Sequence, residues 1–113
     1  MSKMKLLKTL CLTYLNSFAS KDSRAIGNLL SDDVVLTDWE LSLKGKCEVL
    51  SVLEKLFDSV TTIDVEPIRV FEDVNTVIIE MNIKFDEENI INVVDIVRFN
   101  SSSEIESIVA YRQ

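Results

Sequence analysis

Three acid–base side chains stand out in this sequence because each lies within an otherwise apolar pattern. Tyr14 belongs to a helical stripe, whereas Asp38 and Asp95 each continue the apolar face of a predicted strand. Burying a carboxyl group is costly unless the group is paired, hydrogen-bonded or protonated. A carboxyl group that stays neutral can donate a hydrogen bond, and an ionised one can accept a proton. Since the chain has no histidine, these carboxyl and phenol groups are its obvious acid–base candidates.

The strand pattern around Asp95 is apolar on both faces. Residues 91 to 100 alternate with a period of two, which predicts a strand. The face that carries Asp95 also carries Ile91, Val93, Val97 and Phe99. The opposite face carries Ile90, Val94 and Ile96 beside polar Asn92 and Arg98, and we interpret Arg98 as a surface charge. A strand of this kind is central in a sheet, or is covered by a helix or a second subunit.

Composition and charge restrict the class of protein. The 113 residues form one domain, residues 1–113, with 47% apolar and 27% charged side chains, which is typical of a soluble globular protein. The formal net charge of −7 argues against binding to nucleic acid and to an anionic membrane surface, because both require basic patches.

The two cysteines do not suggest a metal site. Cys11 and Cys47 lack the close spacing of zinc ligands, and we predict that both are small buried hydrophobic residues. The segment Met1–Lys8 is weakly basic, but the stretch after it is too short and polar for a signal peptide. We therefore expect a cytoplasmic protein with no metal.

Periodicity and turn residues predict helices followed by a meander of strands. Helices are predicted at about 3–19, from Asp22 or Ser23 to about Leu30, and at about 46–58, the last beginning after Gly45. Strands are predicted at 34–39, 41–44, 61–71, 76–85, 91–100 and 105–112, with a turn at 31–33. Pro67 indicates an edge strand or a bulge. This order predicts an α+β fold whose sheet curls around the helices and encloses an apolar pocket.

Two segments resemble a known superfamily. They are Tyr14–Asp22 continuing through Leu30–Asp38, and Val94–Asn100 followed by Ile105–Arg112. The whole chain resembles the nuclear-transport-factor-2-like (NTF2-like, SnoaL-like) superfamily, and within it most closely the ketosteroid isomerases. The resemblance implies the cystatin-like α+β cone, in which N-terminal helices pack in a strongly curved mixed or antiparallel sheet.

The resemblance also implies roles for the three acid–base residues. Tyr14 falls on the tyrosine of the isomerases, Asp38 on the aspartate that acts as general base, and Asp95 on the protonated aspartate beside the tyrosine. The implied activity is cofactor-free proton transfer next to the carbonyl of a small hydrophobic ketone. We expect the substrate-binding wall to include Phe18, Trp39, Ile79, Met81, Ile108, Ala110 and Arg112. Trp39 and Arg112 depart from the isomerase pattern, and they cast doubt on a steroid more than on the chemistry.

Structural interpretations remain open for each of these residues. Tyr14 can be a core tyrosine, Asp38 can cap the turn at Trp39, and Asp95 can form an ion pair with Arg112 or Arg69. The row of Ile79, Met81 and Ile83 can be core or pocket wall.

Other functions and an assembly also follow from the sequence. The alternative function is a non-catalytic module that binds a small ligand, and a third is a lyase or hydrolase in which an aspartate activates water. The apolar outer face of the sheet, with Ile78, Val94 and Ile96, predicts a homodimer.

Overall fold

The computed structural model describes residues 3–113, with side chains from Leu6 onward. Met1 and Ser2, where the weakly basic N-terminal segment begins, lie outside the described residues. The helices are α1 (Lys3–Ala19), α2 (Ser23–Gly27) and α3 (Lys46–Ser59). None of the described helices is both long enough and apolar enough to cross a membrane.

Local chemistry explains where the two later helices begin. The side chain of Asp22 caps α2, since its Oδ1 accepts a hydrogen bond from the backbone N–H of Ala25 at 3.0 Å. Gly45 precedes α3 with a φ of 90°, a conformation that side chains disfavour and glycine permits. Both starts agree with the sequence prediction.

Six strands form one mixed sheet on which the helices pack. They are β1 (Leu30–Thr37), β2 (Ser42–Lys44), β3 (Ile63–Asp73), β4 (Thr76–Phe85), β5 (Asn89–Phe99) and β6 (Ile105–Arg112). Their order across the sheet is β2-β1-β6-β5-β4-β3. Only the pairing of β1 with β6 is parallel, and the other neighbours are antiparallel. The α+β class predicted from the sequence is confirmed.

The start of β1 differs from the prediction. The strand begins at Leu30, so residues 31–33 are strand and not a turn, and α2 ends earlier than expected. The reason is pairing with a distant strand, because Leu30 lies beside Ile105 of β6. The register then shifts between Leu30 and Val35, which accommodates the polar residues between them. A local pattern of Ser and Asp cannot reveal this pairing.

Alternation along the central strands places one face of the sheet in the core. On β4 and β5 the predicted inward rows are buried; they comprise Val77, Ile79, Met81, Ile83, Ile91, Val93, Asp95, Val97 and Phe99. Helix α1 packs across β3 and β4, and α3 packs on β1 and β2. The strand β3 is an edge strand, and its register with β4 shifts between Pro67 and Arg69, as the proline predicted.

The two cysteines differ in exposure, which corrects one prediction. Both are unpaired, but only Cys11 is buried, whereas Cys47 is exposed. Cys47 precedes the buried Val49 of α3 by two residues, and this spacing puts the two side chains on opposite faces of the helix. Among the described residues, no three acidic or thiol side chains converge to hold a metal ion.

Candidate active site

A cavity of about 520 Å³ lies between the helices and the inner face of the sheet. This volume falls within the usual range for small-molecule sites. Tyr14, Asp38 and Asp95 all line it, so three residues far apart in the chain meet in one space. Tyr14 and Asp95 are buried, and we call the part of the cavity that they line the deep end. Exposed residues that include Trp39 and Arg112 surround the opening, which we call the mouth.

Helix α1 positions Tyr14 at the deep end. The residue lies on the apolar stripe that also buries Cys11 and Leu15, and its side chain is only 5% exposed. Burial raises the pKa of the Tyr14 phenol above its usual range, and the nearby Asp95 and Cys11 raise it further. The phenol therefore stays protonated and can act as a hydrogen-bond donor.

Strand β5 positions Asp95 beside the phenol. Asp95 lies between Ile79 on β4 and Ala110 on β6, and its side chain is 6% exposed. Burial raises the pKa of this carboxyl to about 7, and the charge of Asp38 contributes to the increase. A substantial fraction of Asp95 is therefore neutral near pH 7.

The predicted alternative of an ion pair at Asp95 is wrong. Arg69 is bound to Glu80, with 3.3 Å between Nε and Oε1, and Arg112 lies over the ring of Trp39. No salt bridge of the described residues includes Asp95. The described contacts contain no hydrogen bond between Asp95 and Tyr14 either, so both polar groups retain the capacity to bind a ligand.

Asp38 combines a structural role with a place in the cavity wall. Its Oδ1 accepts hydrogen bonds from the backbone N–H groups of Glu40 and Leu41, at 2.8 Å and 2.7 Å. The predicted turn-capping interpretation is therefore correct. The side chain is half-buried and also lines the cavity. Its Oδ2 has no hydrogen-bond partner within residues 3–113, so this oxygen is available to a ligand.

The sheet register fixes how far apart the two acids are. Thr37 of β1 lies beside Val109 of β6, which puts the next residue, Asp38, level with Ala110. Ala110 in turn lies opposite Asp95. The backbones of the two acids are thus two strand spacings apart, about 10 Å. The residue between them is Ala110, whose small side chain leaves space in the cavity at this point.

The structure brings five of the seven predicted wall residues to the cavity and excludes two. Those that line it are Phe18, Trp39, Ile108, Ala110 and Arg112. Ile79 and Met81 do not, and their side chains are 0% and 2% exposed. The reason is that α1 packs over this part of β4, so these two residues belong to the core, whereas Ile83 of the same row does line the cavity.

Further wall residues come from α3 and the residue after it, from β1 and β2, and from the turn between these two strands. These are Val52, Leu53, Leu56 and Ser59 of α3, Val60 after it, Leu36 of β1, Leu43 of β2 and Glu40 and Leu41 between the two strands, with Phe85, Asn89, Ile91 and Val93 from β4 and β5. Val52, Leu53 and Leu56 form an apolar face of α3, but periodicity alone does not show what such a face covers. A wide apolar stripe on a short helix opposite a half-apolar strand is the signal that could have found them.

The mouth of the cavity is open. Trp39 is 43% exposed, and the guanidinium carbon of Arg112 lies 5.9 Å from the centre of its ring, a cation–π geometry. The two residues that depart from the isomerase pattern therefore pack on each other at the rim. They leave the deep end free.

Comparisons with known proteins agree with this architecture. A family model described as the SnoaL-like domain matches residues 12–107. No curated protein matches the sequence.

Solved structures of several kinds share the fold. A ketosteroid isomerase-like protein from Kribbella flavida superimposes with a TM-score of 0.86 at 11% identity, covering 100% of this chain and 82% of its own. An LEH-like epoxide hydrolase from M. tuberculosis gives a TM-score of 0.86 at 15% identity, covering 99% and 86%. A SnoaL-like polyketide cyclase-like protein from Shewanella denitrificans gives 0.82 at 15% identity, covering 96% and 90%. At such low identity these similarities show the fold and no activity.

Proposed function

The chain belongs to the SnoaL-like family, and we propose that it is a ketosteroid-isomerase-like protein that transfers a proton next to the carbonyl of a small hydrophobic ketone without a cofactor. One observation carries the proposal: Tyr14, Asp38 and Asp95 line the same cavity, and the two acids have unlike surroundings. A phenol and a neutral carboxyl at the deep end supply donors, and a carboxylate nearer the mouth supplies a base.

The donors act on the carbonyl oxygen. With that oxygen between Tyr14 and a protonated Asp95, both groups donate to it, and they bind it more strongly as it becomes an enolate. Each such donor is worth about 2.7–4 kcal/mol of transition-state stabilisation. Neither group has a hydrogen-bond partner among the described residues, so no protein contact has to break before the ketone binds.

The base acts on the carbon next to the carbonyl. Asp38 lines the cavity two strands away from Asp95, and the two backbone N–H groups bound to its Oδ1 hold the carboxylate in place. The separation of about 10 Å between the two backbones leaves room for one ring between the side chains. Asp38 can then take the proton from one carbon and return it to another.

The apolar wall sets the expected ligand. Most of the lining is aliphatic or aromatic, which favours a small hydrophobic carbonyl compound as the partner.

Hydrogen–deuterium exchange tests the proposal. The α-carbon of an unconjugated cyclic enone is followed by NMR in D₂O with wild type, Asp38→Asn, and the control Asp33→Asn, which changes an exposed residue of β1, the strand that precedes Asp38. We expect Asp38→Asn to lower the exchange rate by about 10²–10⁴-fold and the control to leave it unchanged. Equal inertness of wild type and Asp38→Asn would instead favour the alternative.

The alternative is a non-catalytic module that binds a small ligand in the same cavity. The turn-capping bonds of Asp38 favour it, since they alone account for the position of this residue. In that case Tyr14 and Asp95 recognise a polar group of the ligand, and substitutions there change affinity without any effect on exchange.

We also propose a homodimer through the outer face of the sheet. Phe71, Ile78, Ile96 and Val109 form one row across β3, β4, β5 and β6, and Phe71 is 56% exposed. Apolar rows of this kind are typical of interfaces. Analytical ultracentrifugation should show a dimer that Phe71→Ser weakens by about tenfold or more. The control Leu6→Ser, on α1, should leave it unchanged, and a monomeric wild type would refute the interface.

A cytoplasmic location is proposed on the state of the cysteines. Both are unpaired and Cys47 is exposed, which suits a reducing compartment. Cell fractionation of the native protein tests this, and recovery outside the cytoplasm would contradict it.

A further inference from the structure

Among the described residues that line the cavity, Arg112 is the only basic one. It is the last residue of β6 and lies at the rim, where its guanidinium is over the ring of Trp39. Three acids, Asp38, Glu40 and Asp95, line the same cavity, yet none of the described salt bridges joins any of them to Arg112. A charged group at a cavity mouth that pairs with no neighbouring opposite charge is available to a ligand.

None of the described hydrogen bonds or salt bridges uses the guanidinium of Arg112. Its carbon lies 5.9 Å from the centre of the Trp39 ring, and its five N–H donors lie in the plane of the group. Contact with the ring restricts the positions that the guanidinium can adopt. A planar cation held in this way is suited to bind a carboxylate through two parallel hydrogen bonds.

The pairing of β6 with β5 shows where Arg112 lies relative to the deep end of the cavity. Ala110 lies opposite Asp95, and Arg112 lies opposite Val93, one repeat nearer the mouth on the same face. Two residues of a strand span about 7 Å. The backbones of Ala110 and Arg112 are therefore about 7 Å apart, so a small ligand whose carbonyl oxygen meets Asp95 can extend toward Arg112.

We infer that the ligand is a small keto acid, whose carbonyl lies at the deep end and whose carboxylate binds Arg112 at the mouth. The inference deepens the proposed function and rests on it, because the proposed function places the carbonyl at the deep end. Glu40 lines the same rim and favours a cationic ligand, so the experiment must distinguish a cationic ligand from an anionic one.

Three ligands of one shape test the charge preference by isothermal titration calorimetry. They are 4-oxocyclohexanecarboxylate, its methyl ester, and the 4-oxocyclohexyl trimethylammonium ion. Each is titrated into wild type, Arg112→Gln, and the control Arg98→Gln, which removes an exposed charge from the outer face of the sheet. We expect the carboxylate to bind wild type about tenfold more tightly than the ester. Arg112→Gln should abolish this difference, whereas Arg98→Gln should preserve it.

Rising salt should weaken binding of the carboxylate and leave the ester unaffected, since the contact is at an exposed rim. The inference is overturned if wild type binds the acid and the ester with equal affinity, or if it binds the ammonium ion more tightly than the acid. It is also overturned if Arg112→Gln lowers the affinity for the neutral and the anionic ligand equally.

Exchange at the α-carbon tests the proposed catalysis separately from the ligand assignment. If exchange at the α-carbon does not depend on Asp38 while the Arg112-dependent preference for the acid persists, the enzyme proposal falls and the ligand assignment stands. If exchange depends on Asp38 but acid and ester bind alike, the ligand assignment falls alone.

Discussion

The deep end and the mouth of the cavity are built by different kinds of structure. Tyr14 and Asp95 come from the middle of a long helix and a central strand, where packing on every side fixes them. Asp38, Trp39 and Arg112 come from a short turn and the last residue of a strand. The buried groups of the deep end are held within regular elements, and the more exposed groups of the mouth are held where elements end.

The two acids show what this difference does to a carboxyl group. Asp95 has apolar neighbours and no hydrogen-bond partner within residues 3–113, so burial raises its pKa to about 7. Asp38 is half-buried and accepts two backbone hydrogen bonds. In the proposed function, Asp95 is the donor at one end of the cavity and Asp38 is the base at the other.

Among substitutions at the deep end, removal of the phenol should slow exchange most clearly. Tyr14→Phe deletes one donor to the developing enolate, so we expect exchange at the α-carbon to slow by about 10²–10³-fold. Stability should change little, because the hydroxyl bonds to no described protein group. The chain offers one matched control, Tyr111→Phe, whose ring is 60% exposed. Equal rates for the two variants would place the donor elsewhere.

Neutralising Asp95 should make the protein more stable at high pH. The folded-state pKa is raised from 3.8 to about 7, so the folded chain binds the proton more tightly than the unfolded chain. Stability from this group is therefore complete below about pH 4, falls as the pH rises to about 7, and is lost above it. Asp95→Asn should remove this loss and stabilise the protein at pH 8 by up to about 4 kcal/mol.

Urea unfolding between pH 4 and pH 8 measures this effect. The control Asp64→Asn removes an exposed carboxyl from β3 and should leave the pH dependence of wild type in place. An Asp95→Asn variant that is less stable than wild type at pH 8 would show that the carboxylate form has favourable contacts in the folded state.

Filling the space above Ala110, between the deep end and the mouth, should have a smaller effect and should weaken ligand binding. Ala110→Leu puts a larger side chain between Asp38 and Asp95, and we expect the affinity for a cyclic ketone to fall about tenfold. The free energy of unfolding should change little, since the added atoms enter a cavity and not a packed core. Unchanged affinity by calorimetry would mean that the ligand does not lie over Ala110.

Truncating Trp39 at the mouth should have the smallest effect. Trp39→Ala leaves the deep end intact, and because the ring is 43% exposed we expect a loss of stability below about 1 kcal/mol and a change in ketone affinity of a few-fold. Thermal unfolding and calorimetry check both values. A large loss of stability would show that Trp39 belongs to the core and not to the rim.

The inward-facing residues of the deep end were predictable from local patterns, whereas the position of Asp38 relative to them was not. The stripe on α1 and the alternation along β5 are local patterns, and they identified Tyr14 and Asp95 as inward-facing residues. Their chemical roles came from the resemblance to a family and not from the patterns. The position of Asp38 beside Ala110 depends on the parallel pairing of β1 with β6, which joins distant segments and leaves no local trace.

The errors have two physical origins. Ile79 and Met81 were placed in the wall because alternation gives the face of a strand but not what covers it, and α1 covers them. Cys47 was placed in the core on the usual burial of its residue type, although its position relative to Val49 puts it on the outer face of α3. Long-range packing decided the first case, and local helical spacing decided the second.

The titration of Asp95 tests the central claim most directly. Carbon-detected NMR of the side-chain carboxyl should give a pKa of about 7 for wild type. The pKa should be lower in Asp38→Asn, because the charge of Asp38 is one of its causes. An Asp95 that is ionised at pH 5, or a pKa that does not respond to Asp38→Asn, would contradict a cavity in which a neutral acid and a charged one face each other.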